Sequence, residues 1–254
     1  MTILKKPKIK SIFGREILDS RGFPTIEIEL QTTEGIFFSS APSGASKGGN
    51  EAKEIRDQRK KRYLGRGVSG QLKKIKEFIL PKLINKDPRD QELIDHLLCE
   101  IDGTKDKSFL GTNLTTPISQ AVSKAGAHIQ GLPLFQYISQ IFFKKKIKKF
   151  FLPKPFFNVI NGGKHSGNSL DIQEFLISCH QKKFTENLRI GVEYYYLLKE
   201  ILKRKKGPFS INIGDEGGFV PQFSKTKEVL DLLTEIIRKK REKNFLKISL
   251  DCAA

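Results

Sequence analysis

From residue 156 onward, short apolar runs alternate with long amphipathic ones, and that order restricts the fold more than any other feature of the chain. FFNVI (156–160) and QEFLIS (173–178) read as strands, and TENLRIGVEYYYLLKEILKRKK (185–206) as a helix. FSINIG (209–214) then reads as a strand, SKTKEVLDLLTEIIRKK (224–240) as a second helix and LKISLD (246–251) as a last strand. In the first helix Leu188, Val192, Tyr195, Leu198 and Leu202 share one face, with Thr185 as N-cap. Strands alternating with helices argue for a parallel α/β layout, whose ligands sit beyond the C-terminal ends of the strands.

The residues at those strand ends are the types that perform chemistry. Asn158 to His165 follow one strand, Gln173 and Glu174 lie in the next, Asp215 and Glu216 follow the third, and Asp251 ends the last. Each alone reads as an acidic or polar turn. Several carboxylates and a histidine converging on one mouth favour a metal-assisted or acid/base site.

The preceding part has a different order. PTIEIEL (24–30) alternates strictly, with Ile26, Ile28 and Leu30 on one face and Thr25, Glu27 and Glu29 on the other, the pattern of a half-buried strand. TTEG (32–35) turns the chain into a second strand, IFFSSA (36–41), giving a hairpin. From Glu51 to Ser139 the pattern is mostly helical, with KDPRD (86–90) opening one helix and TTP (115–117) another. Residues 1–140 therefore read as a small α+β domain, divided from 141–254 by KKKIKK (144–149) and the prolines of FFLPKPFF (150–157).

Lys and Arg number 46 against 28 Asp and Glu, a net charge of +18 with a pI near 9.7. Such a field attracts polyanions non-specifically. The basic clusters KRKK (203–206) and RKKREK (238–243) close helical patterns, where cations suit the C-terminal dipole. No zinc-finger, RRM or KH signature accompanies them, so a solvated basic face is the expectation. No apolar run is long enough to span a membrane, and the N-terminus lacks an apolar signal region, which makes a cytoplasmic protein the expectation. Cys99, Cys179 and Cys252 lack metal-ligand spacing and read as reduced thiols, small apolar side chains in a buried setting.

Six motifs carry a family resemblance. ILDSRGFPTIEIEL (17–30), APSGASKGGNEAKEIRD (41–57), EIDGTKDKSFLGTN (100–113), LPKPFFNVINGGKHSGNSLDIQEFLI (152–177), NIGDEGGFVP (212–221) and LDCAA (250–254) resemble enolase, in order and with suitable spacing. The resemblance implies an α+β N-terminal domain followed by a TIM-type, enolase-like α/β barrel whose first strands start antiparallel. It implies the dehydration of 2-phosphoglycerate to phosphoenolpyruvate in glycolysis, with two Mg²⁺ ions and a homodimer.

By the same resemblance Glu216 is the proton donor, Glu174 its carboxylate partner and Gln173 a neighbour at the substrate. His165 is the substrate-side histidine. Ser46, in a loop made mobile by Gly44, Gly48 and Gly49, holds the second Mg²⁺ and closes over the substrate. Asp251 is the first of three carboxylate ligands of the tighter Mg²⁺, and oxygen donors suit that hard cation. Two positions depart from the pattern: Phe23 stands where Asn is usual, and Lys47 where Thr is usual.

A full barrel takes roughly 250 residues, and about 110 follow the first domain. The other metal carboxylates, the lysine base and a phosphate-binding His-Arg-Ser segment are expected beyond Asp251. The barrel is therefore expected to be incomplete, and the chain weakly active or inactive unless a second polypeptide completes it. Beside this reading stand a non-catalytic basic remnant acting as a binding protein, and a lyase or racemase acting on a different acid.

Overall fold

A computed structural model describes residues 6–41, 44, 48–58, 61–145, 147–163 and 166–253. The chain divides into two compact units, Met1–Lys149 and Phe150–Ala254, each with its own core.

In the first unit β1 (Ile9–Leu18), β2 (Pro24–Thr32) and β3 (Gly35–Ala41) form an antiparallel sheet in the order β1-β2-β3. Ile26, Ile28 and Leu30 are fully buried, as the alternation requires. The hairpin thus gains a preceding strand, whose IFGREI stretch alternates too weakly to announce itself. The Phe23 ring, ahead of β2, lies under the guanidinium groups of Arg66 and Arg21, at 4.3 and 5.3 Å from its centroid. That cation–π stacking gives the departure at position 23 a local structural role.

The helices start later than the periodicity predicts. Residues 51–58 are irregular, and the Asn113 side chain ties them down by accepting from Ile55 N and donating to Ile55 O. After a 3-10 turn at Tyr63–Gly65, α1 (Ser69–Lys74) runs through a π-turn (Ile75–Ile79) into α2 (Leu80–Leu83). Next is α3 (Gln91–Asp102), where Asp90 is the N-cap and accepts from Leu93 N. The following helix, α4, covers Thr112–Ile129, so TTP lies inside it rather than opening it. Pro117 removes one ladder bond there, at a buried position. α5 (Leu134–Phe143) closes the unit.

Asp102, at the end of α3, is buried and accepts from the Thr104 N–H and hydroxyl and the Leu110 N–H. Burial pushes its carboxyl up, but these hydrogen bonds outweigh burial and hold it below the usual range. A depressed folded pKa stabilises the fold above the unfolded value, near 3.9, and that contribution is lost as pH falls through the folded value. Asp102→Asn is expected to cost about 1–3 kcal/mol at pH 7. In urea titrations the gap between variant and wild type should narrow below pH 4. A gap independent of pH would assign the cost to packing alone.

In the second unit β4 (Phe156–Asn161), β5 (Glu174–Cys179) and β6 (Leu246–Asp251) form a sheet in the order β4-β5-β6. Both pairings are antiparallel, which corrects the parallel layout read from element order. For β4 and β5 the reason lies in the connection: its described residues hold no α-helix, and a parallel neighbour needs a long crossover. The antiparallel start implied by the family resemblance is what the chain adopts.

FSINIG is likewise not a strand. Pro208–Ile211 forms a 3-10 turn, entered through Gly207 and tied by Ser210 Oγ donating to Gly207 O. Only bridges remain, Ile213 with Phe219 antiparallel and Ile160 with Phe219 parallel.

α6 (Phe184–Lys206) and α7 (Thr226–Lys239) cover one face of this sheet. On α6 the buried stripe is Ile190, Tyr194, Leu198 and Leu202, while Leu188 and Val192 are exposed and Tyr195 is half-buried. The N-cap is Lys183, two residues before the expected Thr185, which lies within the first turn. Asn187 fixes that rotation by binding the backbone N–H and C=O of Gln181. All three cysteines are free, but only Cys179 is buried; Cys99, within α3, and Cys252, just after β6, are exposed. Among the described residues no helix is long and apolar enough to cross a membrane.

Candidate active site

The antiparallel middle strand is what assembles the site. Because β5 runs against both neighbours, its first residue meets the last residues of the other two. Asn161, Glu174 and Asp251 lie directly opposite one another across the sheet. Residues paired in this way share a face, with Cβ atoms about 5 Å apart. Glu174 alternates with the buried Phe175 and Ile177, so its face is the one turned away from α6 and α7. The row continues into the flanking loop, where Gly162 N donates to Gln173 O at 2.8 Å and Gln173 N to Asp251 O at 3.1 Å.

Glu216 reaches the same end of the sheet by another route. Residues 214–218 form a turn closed by Gly214 N donating to Gly218 O, and Gly217 adopts φ +83° there. Phe219 then clamps the turn to β4: its N–H donates to Val159 O, and its C=O accepts from Asn161 N. A Cβ on Gly218 would stand 2.5 Å from Asn161 Oδ1 and 2.7 Å from Asn158 Oδ1, so only glycine fits that approach. Asn161 Nδ2 donates to Glu216 Oε2 at 3.3 Å. Glu216, Glu174 and Gln173 are half-buried, whereas Asp215 and Asp251 are exposed.

Two carboxylates directly opposite in a ladder repel, which costs stability and marks a functional arrangement. A second sign is that the buried amide atoms Asn158 Oδ1 and Nδ2 and Asn161 Oδ1 have no hydrogen-bond partner among the described residues. Buried polar atoms left unpaired cost about 1–3 kcal/mol each, so such a cluster belongs where a site needs it.

Asn161 stood in the sequence only as part of the span 158–165, and Asn168 was not singled out. Asn168 Nδ2 donates to Asn161 O at 3.0 Å and to Pro221 O at 3.1 Å, pinning the glycine-rich loop and the end of β4 together. Their one signal is asparagine at the end of an apolar run and again in a Gly/Ser loop, which also describes an ordinary turn.

His165, Ser46 and Lys47 lie outside the described residues. Among the described residues no three His, Cys, Asp or Glu side chains come together as a metal cage. Asp251 supplies one exposed carboxylate, whose Oδ1 accepts from Ala253 N at 2.8 Å.

Comparison with known proteins agrees over both units. Residues 9–138 match the family model described as enolase, N-terminal domain, and residues 149–254 match enolase, C-terminal TIM barrel domain. Enolase B of Dictyostelium discoideum is 47% identical over 247 residues, covering 97% of this chain and 55% of that protein. The enolase of Mastigamoeba balamuthi is 45% identical over 247 residues, 97% of this chain and 56% of its own. That of Eimeria tenella is 44% identical over 253 residues, 97% and 57% respectively. The chain thus spans a little over half the length of these curated relatives.

Proposed function

Since the chain belongs to the enolase family, we propose that it carries the proton-donor side of a site for the reversible dehydration of 2-phosphoglycerate to phosphoenolpyruvate. In this reading residues 1–140 are the N-terminal domain and 141–254 the first part of the catalytic barrel. The observation that carries it is the row Asn161–Glu174–Asp251 with Glu216 folded over its end.

The chemistry explains the residue types. Loss of water from C3 needs a general acid, because hydroxide is a poor leaving group. Glu216 is that acid, held by Asn161 on a glycine turn that cannot be widened without collision. Glu174 and Gln173 hold the leaving hydroxyl and the water it becomes. His165 approaches the substrate from the glycine-rich loop, and Ser46 belongs to the loop that closes over it.

Magnesium, when bound, stabilises the second negative charge that builds on the substrate carboxylate after C2 deprotonation. Asp251 is a hard oxygen donor and suits that ion, with Ser46 for a second one. The described residues do not complete either donor set, so no step is assigned through the metal. A homodimer and a cytoplasmic setting belong to the same reading.

Calorimetric titration with a phosphonate analogue of 2-phosphoglycerate tests it, in magnesium and in chelator. Magnesium-dependent binding that 2-phosphoglycerate displaces is the expected result. Binding of other 2-hydroxy or 2-amino acids in preference would assign a different acid, and no binding to the protein isolated from its native cell would overturn the proposal.

A further inference from the structure

α5 packs against α4 and buries one of its residues, Tyr137. Tyr137 is 1% exposed, its hydroxyl donates to Arg89 O at 3.0 Å, and burial pushes that hydroxyl up to about 12. Gly126 of α4 permits the contact, since a Cβ there would stand 2.2 Å from the Tyr137 hydroxyl.

The rest of the helix's apolar face, which adjoins Tyr137, is largely exposed. At 100° per residue Leu134, Phe135, Ile138, Ile141 and Phe142 fall within an arc of about 120°. Ile138 is 49% exposed and Phe142 78%; Phe143, the last residue of the helix and outside that arc, is 54% exposed.

Directly after it come Lys144, Lys145, Lys148 and Lys149, all exposed. Lys144 pairs with Glu92. No Asp or Glu occurs anywhere between Asp106 and Asp171, so no carboxylate from α4, α5 or the segment after them offsets these lysines.

We propose that α5 and the lysines following it form a docking surface for an anionic phospholipid bilayer. The stripe enters the headgroup boundary while the lysines meet acidic headgroups, and the two act together because neither a short apolar stripe nor a few charges holds a protein alone. Nucleic acid fits less well. Leu134, Ile138 and Ile141 have no ring on which a base can stack, and the charges follow the stripe rather than interleaving with it. The proposal is independent of the dehydration chemistry.

Co-sedimentation with vesicles tests it. The full chain is expected to pellet with phosphatidylcholine–phosphatidylserine vesicles and to stay in solution with phosphatidylcholine alone. Phe142→Ser with Phe143→Ser should reduce binding on the order of tenfold or more, two exposed rings being lost from the interface. Circular dichroism of this variant should match wild type. Lys145→Glu with Lys148→Glu should weaken binding, whereas Lys203→Glu with Arg204→Glu, an equal charge change at the end of α6, should leave it intact.

Three results would overturn the proposal. One is wild type that ignores the acidic vesicles. Another is a phenylalanine variant that binds as well as wild type, or an α6 variant that loses as much as the α5 variant, either of which would leave only diffuse charge. The third is a stripe used elsewhere: a wild-type dimer or a single-stranded RNA complex that the phenylalanine variant abolishes, without vesicle binding.

Discussion

Phe175→Ala is expected to destabilise the second unit by about 3–5 kcal/mol, the usual range for removing a buried aromatic ring. Phe175 has no exposed surface and sits in the central strand of its sheet, opposite Ile160 of β4 and Leu250 of β6. Its ring lies in the core shared with Tyr194, Leu198 and Leu233, beneath both long helices. Neither helix can close over the loss without drawing in the polar face of the other. Domains are stable by only about 5–15 kcal/mol, so a loss of this size removes a large share. Hydrogen exchange read by mass spectrometry separates the units: amides of β4, β5 and β6 should lose protection, while those of β1–β3 keep theirs. A change under 1 kcal/mol would show that the ring is not packed as described.

The second large effect follows from the proposed dehydration chemistry. Glu216→Gln, in the protein as its native cell makes it, is expected to lower kcat by about 10²–10⁴-fold, the span usual for a positioned general acid. Glutamine keeps the length of the side chain and can still bond Asn161, so the turn at 214–218 should persist. What it lacks is a proton to give to the departing hydroxide. The loss should therefore fall on kcat, with KM and affinity for the phosphonate analogue changed little. A fall of less than tenfold would remove Glu216 from the donor role; a parallel collapse of analogue binding would make it a binding group instead.

These two residues illustrate different kinds of legibility. Phe175 stood in an evident strand, QEFLIS, whose apolar content announced burial. Glu216 stood in GDEGGF, which the sequence offered equally as an acidic turn. Only the resemblance gave it a role, and only the bridge through Phe219 and the bond from Asn161 bring it to the end of β4.

By itself the sequence determined the local elements. Strict alternation buried Ile26, Ile28 and Leu30, and helical periodicity marked α3, α6 and α7, because side-chain periodicity is a property of neighbouring residues. It also determined the family, since six ordered motifs survive without any structure. Tertiary structure decided what periodicity cannot encode. The rotation of α6 shifted burial from Leu188 and Val192 to Ile190 and Tyr194, FSINIG gave way to a 3-10 turn, and β5 reversed against its neighbours. That reversal placed the N-terminal end of one strand beside the C-terminal ends of two others, so Asn161, Glu174 and Asp251 became neighbours. Strand direction follows from what the connecting segment can span and from which contacts many distant residues make together, and neither is written in any one motif.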